Sequence, residues 1–375
     1  MATIQAINNS QGAITLKTPR SSNLELYRII CMLMIVAHHY VLSSFVADDG
    51  PLISSPISAN RMFLWFFGAW GKTGINCFMM ITGYFMCTSK ITLRKFLKLL
   101  VQVYFYRLII FAMFLDIGYE SLSTMRLLKV LMPFWGYGYG FVPSFIVFFL
   151  TIPFWTILVQ NMTKRQHEML LILLLGCYTL LGSVPTFKVS LNYVTWFGII
   201  FLIASYIRLY PAKFFEHKVL WGWLTFALVI ISTLSVVLLD KYFSGGYFFM
   251  SDCNKIFAVA VAVSSFLWFK NIDVEYSGVI NAFGAGTFGV LLIHANSDAM
   301  RTWLWRDTIN AVSLYSLDIG HLVLFSVGVV LAIFVICNLI DQLRIATIEK
   351  WFFNWYDNKV SVKVDAFINN ILQKQ

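Results

Sequence analysis

Charge is what this sequence has least of. Only 12% of its 375 residues are Asp, Glu, Lys or Arg, about half the share of an ordinary soluble domain, while 59% are hydrophobic and 17% aromatic. No water-soluble fold hides that much apolar surface. Long polar stretches are also missing: apolar runs continue from about residue 26 to about residue 341, which leaves no room for a second, soluble domain. Six cysteines (Cys31, Cys77, Cys87, Cys177, Cys253, Cys337) form no CxxC pair and no metal-ligand spacing, so neither a zinc site nor a disulfide framework is expected. The first 22 residues are polar, contain Lys17 and Arg20, and lack an apolar stretch followed by a small-residue cleavage site. The first hydrophobic run therefore reads as a retained helix. The lack of internal repeats weighs against transporter folds built from inverted halves.

What is present points to an all-α, polytopic integral membrane protein with about ten transmembrane helices. Crossing the hydrocarbon core takes about 20 residues of helix, and segments of that kind lie near 26–46, 63–87, 95–115, 140–160, 168–186, 191–208, 219–239, 254–270, 279–296 and 319–341. The net charge of +10 could suggest a nucleic-acid partner, but the bases sit in short connectors between apolar runs. Lys90, Arg94, Lys95 and Lys98, then Lys164 and Arg165, then Arg208, Lys213 and Lys218 all fall on the side that also holds both termini. The positive-inside rule makes that side the cytoplasm, and the expected host membrane is the plasma membrane. The expected organisation is a polar cytoplasmic tail over 1–22, a membrane domain over 23–343, and a cytoplasmic tail over 344–375 whose Trp351, Phe352, Phe353 and Trp355 suit the headgroup level. Segment 122–139 reads as an interfacial or re-entrant helix.

Ionisable groups inside apolar helices are costly and mark candidate sites. The first helix, LELYRIICMLMIVAHHY, carries Glu25 and Arg28 at one end and His38 and His39 well inside. Arg28 and His39 are eleven residues apart, which returns within about 20° of one helix face and separates them by about 16 Å. An arginine at the cytoplasmic mouth could hold the phosphates of acyl-coenzyme A. The pantetheine arm, of comparable length, would then carry the thioester to His39 acting as general base. The plainer alternative is a snorkelling arginine and a histidine bonded to a neighbouring helix.

In GAWGKTGINCFMMITGYF, Lys72 and Asn76 share a face. Lys72 either stabilises an oxyanion or binds sugar, or else pairs with an acid such as Asp298. KITLRKFLK offers either a second phosphate patch or ordinary topology charge, and Arg107 lies deeper than a topology signal needs. In AGTFGVLLIHANSDAM, His294 and Asn296 could order a hydroxyl acceptor or the catalytic histidine, or cap the helix end. Gly284, Gly286 and Gly289 spell GxGxxG, but without a preceding strand the pattern is no nucleotide fingerprint.

Taken together, these stretches resemble the acyltransferase family 3 membrane proteins, which include O-acetyltransferases of capsules, exopolysaccharides, lipopolysaccharide and peptidoglycan. YRIICMLMIVAHH reproduces the family's spacing from Arg28 to His39, and Glu25 stands where many members place an acid. GKTGINCFMMITGYF is similar to the glycine-rich second helix, with Thr82 in place of the usual serine. TFGVLLIH resembles the late helix that closes with a histidine, and the form followed by Asn296 is most similar to exopolysaccharide enzymes of Gram-positive bacteria. The basic run departs from the family's fuller arginine set, and no soluble hydrolase domain follows.

The resemblance implies transfer of an acetyl group from acetyl-coenzyme A, with no tightly bound cofactor and no metal, to a hydroxyl of a polysaccharide or its lipid-linked precursor. It implies His39 and Glu25 as catalytic residues and Arg28, Arg94, Lys95 and Lys98 as donor contacts. Lys72, Asn76, Arg107, His294 and Asn296 become acceptor contacts, and membrane lipid the surrounding partner. A flippase for lipid-linked oligosaccharide is the alternative, though it leaves the Arg28–His39 spacing unexplained.

Overall fold

The computed structural model describes residues 21–48, 50–243 and 246–360. Most of the 1–22 tail, Asp49 and the end of the 344–375 tail, with Lys363, lie outside them. The described residues form helices and no strand. In chain order these are α1 (Ser22–Val41), α2 (Pro51–Ser54), α3 (Ala59–Gly68), α4 (Gly71–Met86), α5 (Leu93–Asp116), α6 (Thr124–Leu131), α7 (Phe141–Asn161) and α8 (Lys164–Leu175). They continue with α9 (Tyr193–Leu209), α10 (Lys218–Phe243), α11 (Ile256–Asn271), α12 (Gly278–His294), α13 (Asp298–Thr302), α14 (Ile319–Arg344) and α15 (Lys350–Lys359). Local sequence sets many of the starts. Ser58, Thr92, Ser123, Thr163, Asn192, Ser277, Ser297 and Asp318 each accept a hydrogen bond from a backbone N–H of the first turn, satisfying donors that a helix start otherwise leaves unpaired.

All ten apolar segments are helical, but they are not ten equal spans. Among the described residues six helical stretches are long and apolar enough to cross a membrane, and a seventh counts if α12 and the stretch Asp298–Thr308, bent by 95°, form one broken span. Helices α9 and α11 have 17 and 16 residues. At 1.5 Å per residue that is about 25 Å, short of a core about 30 Å thick. The segment expected at 63–87 is two helices, because the chain breaks at Ala69 and Trp70. His38 accounts for the break: its Nδ1 meets the carbonyl of Gly68 at 2.6 Å, serving a helix-terminal oxygen. A Cβ on Gly71 would lie 2.2 Å from the His38 ring.

The helices alternate in direction between two ends of the bundle. At the proximal end, Ser22 bonds Asn281 and Asn23 bonds the carbonyls of Lys270 and Ile272. At the distal end, His39 meets His294 and Lys72 meets Tyr193. The basic connectors gather at the proximal end, where Arg208 reaches Tyr84 and Lys98 reaches Glu349. Helices α1, α4, α9 and α11 are the buried centre, while α7, α10 and α14 turn Phe154, Trp223, Leu234 and Leu324 outward, as lipid-facing helices do.

The segment after Arg344 continues α14: Ile319–Lys359 is one helical stretch of 41 residues, about twice the length a bilayer core requires. Segment 122–139 is mostly exposed. Its helix α6 has no buried residue, exposes Leu127, Leu128 and Leu131, and is held to α5 by Tyr104 and Arg107, which donate to the carbonyls of Leu131, Lys129 and Met132.

Lipid tails are as apolar as leucine, so packing and internal polar contacts hold such a bundle together. The GxGxxG pattern serves that purpose. A Cβ at Gly284 would sit 2.4 Å from Glu25, one at Gly286 2.8 Å from Asn338, and one at Gly289 2.1 Å from the Asp341 carboxyl carbon. Asp341 is wholly buried. It accepts from Tyr106 (2.8 Å), Gln102 (3.3 Å) and Arg344 (2.7 Å), and Arg344 also reaches Glu349 at 2.9 Å. Breaking a buried ionic network of this kind costs about 3 kcal/mol or more. We therefore expect Gly289→Ala to lower the melting temperature in detergent, followed by tryptophan fluorescence. Gly328→Ala in α14, where nothing lies within 4 Å, should leave it unchanged or slightly raised. Equal effects would remove Gly289 from this role.

Candidate active site

Helix α1 is unbroken from Ser22 to Val41, so Arg28 and His39 keep the separation of about 16 Å that regular helix geometry gives. Glu25 shares the proximal end with Arg28, whose Nη1 lies 3.0 Å from Glu25 Oε1. That position corrects the catalytic expectation for Glu25. Fourteen residues, about 21 Å of helix, separate it from His39, so it acts on Arg28 and not on the histidine.

The distal end of α1 meets the end of α12. His39 Nδ1 is 2.9 Å from His294 Nε2, and His294 Nδ1 is 2.6 Å from the carbonyl of Val290. These bonds assign the protons. A carbonyl only accepts, so His294 Nδ1 carries a hydrogen, and the neutral ring presents Nε2 as an acceptor. His39 Nδ1 then donates to it, and His39 Nε2 is left with its lone pair. His294 has no exposed surface, whereas His39 retains some. The buried ring thus fixes the tautomer of the half-buried one, whose Nε2 is the basic nitrogen. Of the roles open to His294 in the sequence, contact with His39 is the one the fold provides.

Lys72 lies close by, since Gly71 abuts His38. Its partners are the Tyr193 hydroxyl at 2.7 Å and Asp252 at 3.6 Å, not Asp298, which pairs with Arg301. Asn76, one turn further along α4, is sealed between α9 and α11. Its amide donates to the carbonyls of Cys253 and Ala258 and accepts from Trp196 Nε1 at 2.8 Å. With no exposed surface and its bonds taken, Asn76 is a structural clasp and not a substrate contact. Asn296 caps its own helix through Leu292 (2.9 Å) and also faces a distal cleft shared with Arg107. Next to that cleft Tyr119 donates to Asp307 at 2.5 Å, and the carboxylate beside it pushes the phenol up to about 12.

The proximal bases are engaged. Arg94 forks onto Asp357 (2.9 Å) and stacks over Phe353, Lys98 meets Glu349 at 2.5 Å, and Lys95 donates to the carbonyl of Lys90. An anionic donor would take over contacts that α15 and the turn before it now fill. Sequence reading missed the Asp341–Arg344–Glu349 cluster, although an acid and an arginine three residues apart at the end of an apolar run are a visible signal. No group of three or more His, Cys, Asp or Glu arranged to hold a metal occurs among the described residues.

The tautomer is open to direct measurement. Solid-state NMR of the protein labelled with 15N-histidine should show His39 protonated at Nδ1 and bare at Nε2; a proton on Nε2 would contradict the assignment.

Comparison with known proteins supplies one match. No curated protein and no solved structure matches the chain. A family model described as an acyltransferase domain matches residues 21–339, a stretch that runs from the start of α1 into α14 and takes in Arg28, His39 and His294. The chain therefore belongs to acyltransferase family 3, and it is a membrane-embedded acyltransferase.

Proposed function

We propose that this acyltransferase moves an acetyl group from acetyl-coenzyme A to a hydroxyl of a cell-surface polysaccharide or its lipid-linked precursor. The donor enters at the proximal, base-rich end, taken as the cytoplasmic side of the plasma membrane by the positive-inside rule. Arg28 holds donor phosphate, helped by whichever of Arg94, Lys95 and Lys98 the phosphates win from their present partners. The extended pantetheine arm spans roughly the 16 Å of helix between Arg28 and His39.

The observation that carries the reading is the hydrogen bond from His39 to His294, which leaves His39 Nε2 as an oriented base. His39 Nε2 takes the proton of the acceptor hydroxyl as its oxygen attacks the thioester carbonyl. The carbon–sulfur bond then breaks, and the proton passes from His39 to the departing thiolate, giving free coenzyme A. In this scheme positive charge arising on His39 is shared with His294 through their common hydrogen bond. Lys72, held by Asp252 and Tyr193, follows Gly71, which abuts the His38 ring, and its charge favours the developing oxyanion.

Release of coenzyme A thiol by the purified chain, in the presence of an acceptor oligosaccharide, tests the scheme. His39→Gln should lower kcat by about 10²- to 10⁴-fold, the usual worth of a general base, with KM for acetyl-coenzyme A little changed. Arg28→Gln should do the reverse, raising KM by about tenfold for the loss of one charge-assisted contact. Full activity in His39→Gln would remove the histidine from the chemistry, and an unchanged KM in Arg28→Gln would remove the arginine from the donor site.

A further inference from the structure

A cleft of about 380 Å³ opens at the distal end of the bundle. One wall is the later part of α5, with Arg107, Phe111 and Phe114; the loop at Tyr119 and Glu120 and helix α6 form the rim. The other wall is the corner between α12 and α13, from Asn296 to Ala299. Asn296 is two residues beyond His294, so their Cα atoms are within about 7 Å of one another. The cleft therefore shares the distal end of the bundle with the histidine pair, away from Arg28, although neither histidine lines it.

Its charges do not cancel. Glu120 is paired with Arg126, and Asp298 with Arg301. Arg107 and Lys129 form no ion pair with a carboxylate among the described residues. Arg107 gives two N–H groups to the carbonyls of Met132 and Lys129 and keeps the remaining donors of its five-donor fork. The Lys129 ammonium sits 5.7 Å from the centre of the Trp135 ring. A half-buried arginine fork and a lysine, set in a cleft with aromatic rings and an Asn–Ser pair, match a saccharide that carries an anion, since arginine holds phosphate through paired N–H donors. Helix α6 exposes Leu127, Leu128 and Leu131, a pattern suited to an amphipathic helix at a membrane surface.

We propose that this cleft is the acceptor site and that it takes a phosphate-bearing saccharide, with Arg107 and Lys129 holding the phosphate and Asn296 and Ser297 facing the sugar. The proposal rests on the reading that the acyl group is delivered at His39. The phosphate can belong to a lipid carrier or to the saccharide chain itself.

The test uses the full chain in detergent, saturated with coenzyme A so that proximal bases are filled, and measures stabilisation by added probes through the melting temperature. Inorganic pyrophosphate represents a soluble phosphate; a prenyl diphosphate in mixed micelles represents a lipid carrier. At least one should bind, and the double variant Arg107→Gln, Lys129→Gln should weaken it by about tenfold or more while leaving coenzyme A affinity unchanged. Lys129→Gln alone, an exposed side chain with no backbone bond, should weaken it in the same direction. Tighter binding of prenyl diphosphate than of pyrophosphate assigns the phosphate to a lipid carrier, and equal binding of the two assigns it to the saccharide. Binding of neither probe, or binding undiminished in the double variant, overturns the proposal. Failure of coenzyme A to bind the unmodified chain would instead strike the donor reading and leave the phosphate result to stand by itself.

Discussion

The close approach of α1 to α12 is the contact on which the rest of the molecule depends. The two helices run side by side from Ser22 and Asn281 to His39 and His294, with Gly284 leaving space for Glu25 between them. Both ends of the proposed reaction path are fixed by that alignment. One helix carries the arginine and the basic nitrogen, and the other carries the ring that holds the nitrogen in its tautomer. A shift of one turn, about 5.4 Å, would separate the histidines completely.

Lipid explains why the contact takes this form. Inside a bilayer an unpaired polar group costs several kcal/mol, so each ionisable side chain needs a partner supplied by a neighbouring helix. Glycines on α12 make room for Glu25, Asn338 and Asp341, and Asp240 on α10 holds Arg61 of α3 at 2.8 Å. What distinguishes the histidine pair is that one ring sets the tautomer of the other, whereas Nδ1 of His38 donates to a backbone carbonyl at the broken end of α3.

Much of this was legible in the sequence, and the limits are instructive. Apolar runs located every long helix, because twenty residues without charge have few alternatives. Periodicity put Arg28 and His39 on one face of α1. It could not show that α4 starts afresh at Gly71, since that break depends on His38 of another helix. Nor could it show that Asn76, on the same face as Lys72, is closed off by Trp196 and the backbone at Cys253 and Ala258. The meaning of Gly284, Gly286 and Gly289 was likewise invisible, because their reason is what α1 and α14 bring to them. Arg107 and Asn296 were each noticeable alone, and only the fold brings them to one cleft. Arg94 and Lys98 read as open bases because their partners, Asp357 and Glu349, lie some 250 residues further along the chain.

The claim that matters most is that His39 and His294 act as one unit, and a double-mutant cycle on kcat measures that directly. Residues of one catalytic unit are strongly non-additive. His294→Gln alone should slow turnover, and adding it to His39→Gln should produce little further loss. Losses that multiply in the double variant would mean that the two histidines contribute independently, and the hydrogen bond between them would then have no part in catalysis.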